Sequence, residues 1–183
     1  MGDLMIVRPN IGRRGVVAGL AATGAALATG SLPAAAQTGA IPVPKGPVIL
    51  TISGNITVHN SGNDVAFDMP TLESLPQTSF TTGNPWTPPS LFSGVLFTTL
   101  LQRIGGHGKT AVSYALNDYV VEIPLEGMSD DGPLLATRMN GQYMPVAHYG
   151  PLFVMFNFSK HHEWLQNSMY ARCIWQLQRI VIT

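Results

Sequence analysis

Short apolar-rich runs separated by turn residues, several of them alternating apolar and polar, recur through most of this chain, at residues 48–52, 56–59, 65–67, 77–82, 110–116, 119–123, 134–139, 142–145, 152–156 and 175–182. Each run predicts a strand, and where the period is two, sending successive side chains to opposite faces, a half-buried one. Asn140-Gly141, between two of these runs, pairs residues that tolerate positive φ and predicts a tight hairpin turn. Two segments break the pattern. Residues 71–75 follow Met69-Pro70 and predict a short turn of helix. From Ser93 or Gly94 to Ile104, residues Val95, Leu96, Thr99, Leu100, Arg103 and Ile104 are spaced to bury one helical face, with Gly105-Gly106 to end it. A helix set into a β-rich chain predicts an α+β fold. Residues 157–172 match neither period and leave their structure unassigned, a loop with one helical turn being compatible; the segment is longer than most connections and therefore a place to look for function.

The N-terminus departs from this pattern. Arg13-Arg14-Gly15-Val16-Val17 opens a bland Ala/Gly/Leu stretch ending in small residues at Ala34 and Ala36, which predicts an export signal over residues 1–36, similar to a twin-arginine signal. The stretch is too weakly apolar for a membrane anchor, so cleavage before Gln37 and a periplasmic mature protein are expected. Gly39, Pro42 and Pro44 predict a flexible lead-in over 37–45, followed by a single domain over 46–183.

Removing Asp3, Arg8, Arg13 and Arg14 from ten acidic and ten basic residues leaves nine and seven, a net charge of −2. That balance offers nucleic acid no electrostatic footprint. Cys173 is the chain's one cysteine, so no internal disulfide forms, and its place in an apolar stretch predicts a buried thiol. His161-His162-Glu163 brings three ligand types together, but adjacent residues point apart on a strand or helix and seldom converge on one metal. The serines lack a nucleophile-elbow setting, and Gly105-Gly106-His107-Gly108-Lys109-Thr110 lacks the spacing of a phosphate loop.

A set of motifs in order is more specific. Phe80-Thr81-Thr82-Gly83-Asn84-Pro85-Trp86, Phe92-Ser93-Gly94-Val95-Leu96, Ala115-Leu116-Asn117-Asp118-Tyr119, Met139-Asn140-Gly141, His148-Tyr149-Gly150-Pro151-Leu152 and Trp175-Gln176-Leu177-Gln178-Arg179-Ile180 together resemble the molybdopterin-binding domain of the sulfite oxidase family, over residues 46–182. The resemblance implies a β-rich, mixed-sheet α+β domain whose pterin cofactor carries molybdenum on a cysteine thiolate in a Cys-x-Gly-Asn context. Here that context reads Thr81-Thr82-Gly83-Asn84. A threonine hydroxyl stays protonated at neutral pH and is a hard ligand where the metal prefers soft sulfur. Phe153 also stands where the family usually has an arginine for the cofactor phosphate.

Both departures resemble a small, exported, cysteine-less branch whose members bind pterins. The resemblance implies a metal-free, reduced pterin as ligand, no catalysis, and docking on the periplasmic domain of a membrane receptor with GGDEF or EAL domains that controls cyclic di-GMP. The alternative it leaves is a molybdopterin-dependent oxidoreductase subunit. Candidate ligand residues are Thr81, Thr82, Asn84 and Trp86 on the first motif. A flat heterocycle needs an aromatic face and a few fixed donors and acceptors, which Trp86 and its neighbours offer; Trp86 packed into the core is the other reading. The resemblance adds Ser113, Tyr114, Asn117, Asp118 and Tyr119 around the next turn, where Asn117-Asp118 is first of all a good turn pair. It further implies His148 and Tyr149, while Arg172 is placed to reach the ligand, a partner or a strand end.

Overall fold

The computed structural model describes residues 40–183, so the export signal expected over 1–36 lies outside the described residues. Two five-stranded sheets share one core. The first has the order β2-β1-β10-β5-β6, built from β1 (Leu50–Gly54), β2 (Val65–Phe67), β5 (Thr110–Ala115), β6 (Val120–Pro124) and β10 (Leu177–Ile182). It is mixed: β1 and β10 run parallel, Thr51 opposite Arg179, and the other pairs are antiparallel. The second contains β3 (Thr78–Asn84), β4 (Thr87–Leu96), β7 (Leu134–Met139), β8 (Gln142–Tyr143) and β9 (Phe153–Met155). Leu50, Ile52, Ile180 and Ile182 from one sheet and Phe92, Leu134, Phe153 and Met155 from the other are buried between them. This is the expected α+β, β-rich mixed-sheet fold.

Local chemistry explains most of the elements. Asn140 and Gly141 adopt φ of 52° and 79°, closing the β7–β8 hairpin as their left-handed tolerance predicts. Helix α1 (Met69–Glu73) starts at Asp68, whose carboxylate accepts the Thr71 amide at 2.9 Å. Helix α2 (Phe97–Ile104) buries Phe97, Leu100 and Ile104 and ends in left-handed Gly105, whose amide and that of Gly106 return to Gln102 and Leu101. The helix starts later than the spacing predicts. Ser93, Gly94, Val95 and Leu96 instead continue β4 against β7, and a Cβ on Gly94 would stand 2.0 Å from the Leu135 carbonyl oxygen. Sheet pairing decides the conformation there over local periodicity.

Two further expectations are corrected, and one strand was not foreseen. Residues 56–59 are no strand: the Thr57 and Val58 amides both donate to the Ile104 carbonyl, at 3.1 and 3.0 Å, and cap the end of α2. Strand β4 was disguised by Pro88 and Pro89. These lie where β4 extends beyond β7 and where its pairing with β3 shifts register, so the missing amides interrupt no full ladder. The lead-in predicted to be flexible is fastened from Ile41 onward: Ile41 is buried, Asn60 Nδ2 donates to the Pro42 carbonyl, and the Lys45 and Gly46 amides donate to Asp68 Oδ2 at 2.9 and 2.8 Å.

Asp68 thus ties α1 to the N-terminal segment, and these bonds, from Thr71 first and then Gly46 and Lys45, hold its carboxyl well below the usual carboxylate range. A carboxyl lowered on folding stabilises the fold above its unfolded pKa and loses that contribution as pH falls through its folded pKa. We therefore expect Asp68→Asn to lower the melting temperature by several degrees at pH 7. The gap from wild type should shrink below about pH 4, in thermal melts followed across a pH series.

Candidate functional site

The β3–β4 turn is organised by one side chain. Asn84 Oδ1 accepts the Trp86 amide at 3.0 Å, the Thr87 amide at 2.9 Å and the Thr87 hydroxyl at 2.9 Å. That closes an Asx-type turn and projects the Trp86 indole outward, 47% exposed. Two residues earlier on the same strand face, Thr82 is fully buried: its hydroxyl donates to the Phe156 carbonyl at 3.0 Å and accepts the Phe158 amide at 3.1 Å. The pleat turns Thr81 the other way, into solvent.

Trp86 stands between two cavities. One, of about 410 Å³, is lined by Pro85, Trp86, Asn117, Tyr119, Asn167 and Tyr170, with Ala171, Cys173 and Trp175 completing it. The other, of about 550 Å³, is more open and runs along the turn from Gly83 to Pro89 against Phe158, Ser159, His162, Leu165 and Tyr170. Pro85, Trp86 and Tyr170 are walls of both. Both volumes lie within the range of small-molecule sites.

An aromatic ladder fixes the shared wall. Trp86 meets Trp175 edge to face at 5.4 Å, Trp175 meets Tyr149 at 6.0 Å, and Tyr149 stacks on buried Phe153 at 5.3 Å. The Tyr149 hydroxyl donates to the Trp86 carbonyl at 3.0 Å. Tyr149 therefore holds Trp86 in place. Across the smaller cavity the Tyr119 hydroxyl donates to the Ala171 carbonyl at 2.8 Å, which leaves its ring face as the surface it offers.

Of the residues singled out from sequence, Trp86, Asn117 and Tyr119 meet around one cavity and Asn84 borders the other. Tyr149 acts on Trp86 from behind. The remainder lie elsewhere. Thr82 is sealed beneath the loop and Thr81 lines neither cavity. Ser113 is fully buried within the first sheet, and the Tyr114 ring is covered by the Arg179 guanidinium at 3.6 Å. Asp118 occupies the left-handed position of the β5–β6 turn, φ 64°, where its role is the turn itself. His148 is exposed on a 3₁₀ turn, Val146–His148, and lines neither cavity. Arg172 borders a separate cavity of about 160 Å³ with Glu126, Trp164 and Met169. The reason is common to all of these: strand pleat and turn geometry point neighbours in sequence to different faces.

Tyr170, Asn167, Trp175 and His162 were not among the candidate ligand residues, although the unusual length of 157–172 marked the segment that supplies three of them. It folds as a 3₁₀ turn, His162–Trp164, and a short helix α3 (Asn167–Tyr170). Cys173 is buried as expected, yet it lies at the cavity beside Asn84. Burial pushes its thiol up to about 12, and hydrogen bonding from Asn84 and the Phe156 backbone draws it only partly back. It is a neutral wall of the site at physiological pH.

The two threonines separate cleanly by experiment. Thr82→Val keeps shape but strands a buried carbonyl and a buried amide, and should cost about 1–3 kcal/mol in denaturant unfolding. Thr81→Val should stay within about 0.5 kcal/mol of wild type.

Comparison with known proteins adds one finding. A family model described as the oxidoreductase molybdopterin binding domain matches residues 55–159, and no curated protein matches the chain. The matched region includes the Trp86 turn and the Asn117–Tyr119 turn and stops at Ser159, so Tyr170, Cys173 and Trp175 lie beyond it. With more than half of its residues covered by that model and with this pair of sheets, the chain belongs to the oxidoreductase molybdopterin-binding domain family, of the sulfite oxidase type.

Proposed function

We propose that this chain is a non-catalytic binding protein for a neutral, metal-free pterin, held against Trp86 in the smaller cavity. The observation that carries this reading is the lining itself: an aromatic box of Trp86, Trp175, Tyr119 and Tyr170, with the side-chain amides of Asn117 and Asn167 at its edge. A flat heterocycle stacks on such faces at about 0.5–1.5 kcal/mol per aromatic contact beyond its buried area. Its amide-like edge then finds matching donors and acceptors in the two asparagines.

The residues do not fit the molybdenum-bearing cofactor of the family. The position of the metal-binding cysteine is Thr81, which faces solvent, and the thiol of Cys173 is held neutral by burial. Neither cavity is lined by lysine or arginine, so a phosphorylated cofactor meets no fixed cation. Where the family usually carries an arginine, Phe153 is fully buried beneath Tyr149. A neutral ring needs none of the missing groups.

The same reading extends to the cell. An exported, periplasmic protein carries its pterin to the outer domain of a membrane receptor of the GGDEF or EAL type and reports ligand state to cyclic di-GMP turnover. What supports this is the signal-like N-terminus and the resemblance to the cysteine-less branch.

The deciding experiment is extraction of ligand from purified full-length chain, with mass detection, fluorescence and metal analysis. We expect a fluorescent pterin near one per chain, and a loss of about ten- to a hundredfold in affinity on Trp86→Ala, with Thr81→Val unchanged. Stoichiometric molybdenum would instead make the chain a molybdopterin-dependent oxidoreductase subunit. Failure to retain any pterin, with Trp86→Ala silent, would leave a domain without a ligand.

A further inference from the structure

The segment that walls both cavities, through Phe158, Ser159, His162 and Leu165 on one side and Asn167 and Ala171 on the other, contributes no strand to either sheet. Charged groups fasten its first half. Lys160 Nζ lies 2.7 and 2.8 Å from the two Asp131 oxygens, on the β6–β7 connection. The neighbouring His161 ring lies flat on Trp164, 4.0 Å away at 15°. Its Nδ1 is 2.8 Å from Glu163 Oε1, and its Nε2 is 3.5 Å from Asp131 Oδ2. Nε2 is shut off from solvent and has no hydrogen-bond partner.

This arrangement constrains the protons on the ring. A bare Nε2 would aim a buried lone pair at a carboxylate, and a bare Nδ1 would do the same at 2.8 Å. Only the imidazolium, with a proton on each nitrogen, suits both. We propose that His161 is a protonation-controlled clip: charged, it bridges Asp131 and Glu163 and holds the cavity-forming segment closed; neutral, it lets that segment open.

Lys160, Asp131, Glu163 and His162 are the charged or titratable groups around the ring, and Glu126 and Arg172 border the small cavity that Trp164 also lines. The Lys160 ammonium supplies a second hold on Asp131 that does not pass through the imidazole. The lower limit comes from the carboxylates. Asp131, through Lys160 first, and Glu163, through its own backbone amide and then His161, are held below their ordinary range. Their contribution is present above that range and disappears as pH falls through the lowered values. The bridge requires a charged ring, so it is the arm that rising pH removes. The clip is therefore complete in mildly acidic solution and weakens on either side.

Hydrogen exchange of the full chain, corrected for the intrinsic pH dependence of exchange, tests this directly. Between pH 5.5 and 8.5 we expect amides of 158–171 to lose protection about three- to tenfold while the sheets keep theirs. His161→Gln should be loose and flat across the same range; Lys160→Met should be looser yet retain the pH dependence. Constant protection in wild type, or an unchanged fall in His161→Gln, would overturn the clip.

The effect on a ligand rests on the proposed function and is read separately, from the release rate of unsubstituted pterin. Faster release at high pH, abolished in His161→Gln, supports clip and site together. A pH-dependent segment with no effect on pterin release supports the clip and counts against these cavities as the pterin site.

Discussion

The site depends on two polar side chains that share one face of β3. Thr82 exchanges hydrogen bonds with the backbone of Phe156 and Phe158, so the chain leaving β9 has one path away from the sheet. Asn84 gathers three donors from the following turn and so fixes where Trp86 emerges. Both are hydrogen-bonded in settings where an unpaired group would cost more than the bond itself contributes, and this asymmetry makes the arrangement definite. The edge strand, the Trp86 turn and the long segment that closes the cavities are all positioned from these two residues.

Around that anchor the chemistry is aromatic and nearly uncharged. Phe92, Phe153, Tyr149, Trp175 and Trp86 run from the core to the surface in edge-to-face and stacked contacts, an arrangement that rings adopt for their quadrupoles and that limits Trp86 to a narrow range of positions. Cations and carboxylates are kept a short distance away, in the Asp131–Lys160–His161–Glu163 cluster that secures the covering segment. The family's cofactor requires charge at the ligand, as thiolate and as cation. This chain places charged groups on the covering segment instead.

Legibility varied with how local each decision is. The β7–β8 turn follows from Asn140-Gly141 alone, and the end of α2 follows from Gly105-Gly106, because both depend on backbone freedom at the residues themselves. The start of α2 was not legible: Val95 and Leu96 sit at helical spacing, yet β7 offers them a ladder. Prolines concealed β4, since only the register shown by β3 and β7 reveals that Pro88 and Pro89 interrupt nothing. Trp86, Asn117 and Tyr119, marked by their turns, line one cavity, whereas Ser113, Tyr114, His148 and Arg172 belong to the sheet interior, an opposite face, an exposed turn and another cavity.

By itself the sequence determined the α+β class and the family resemblance, and it puts Thr81 and Phe153 where that resemblance implies a cysteine and an arginine. These are matters of residue identity and short-range periodicity, and one chain carries them in full. Only the tertiary structure decided that Thr81 faces solvent while Thr82 is sealed, that Cys173 joins the wall beside Asn84, and that Tyr170 and Trp175 complete a box begun at Trp86. Those outcomes turn on which face a side chain takes in a paired strand and on contacts across long stretches of sequence. Neither is specified until the sheets have formed and burial has chosen the register.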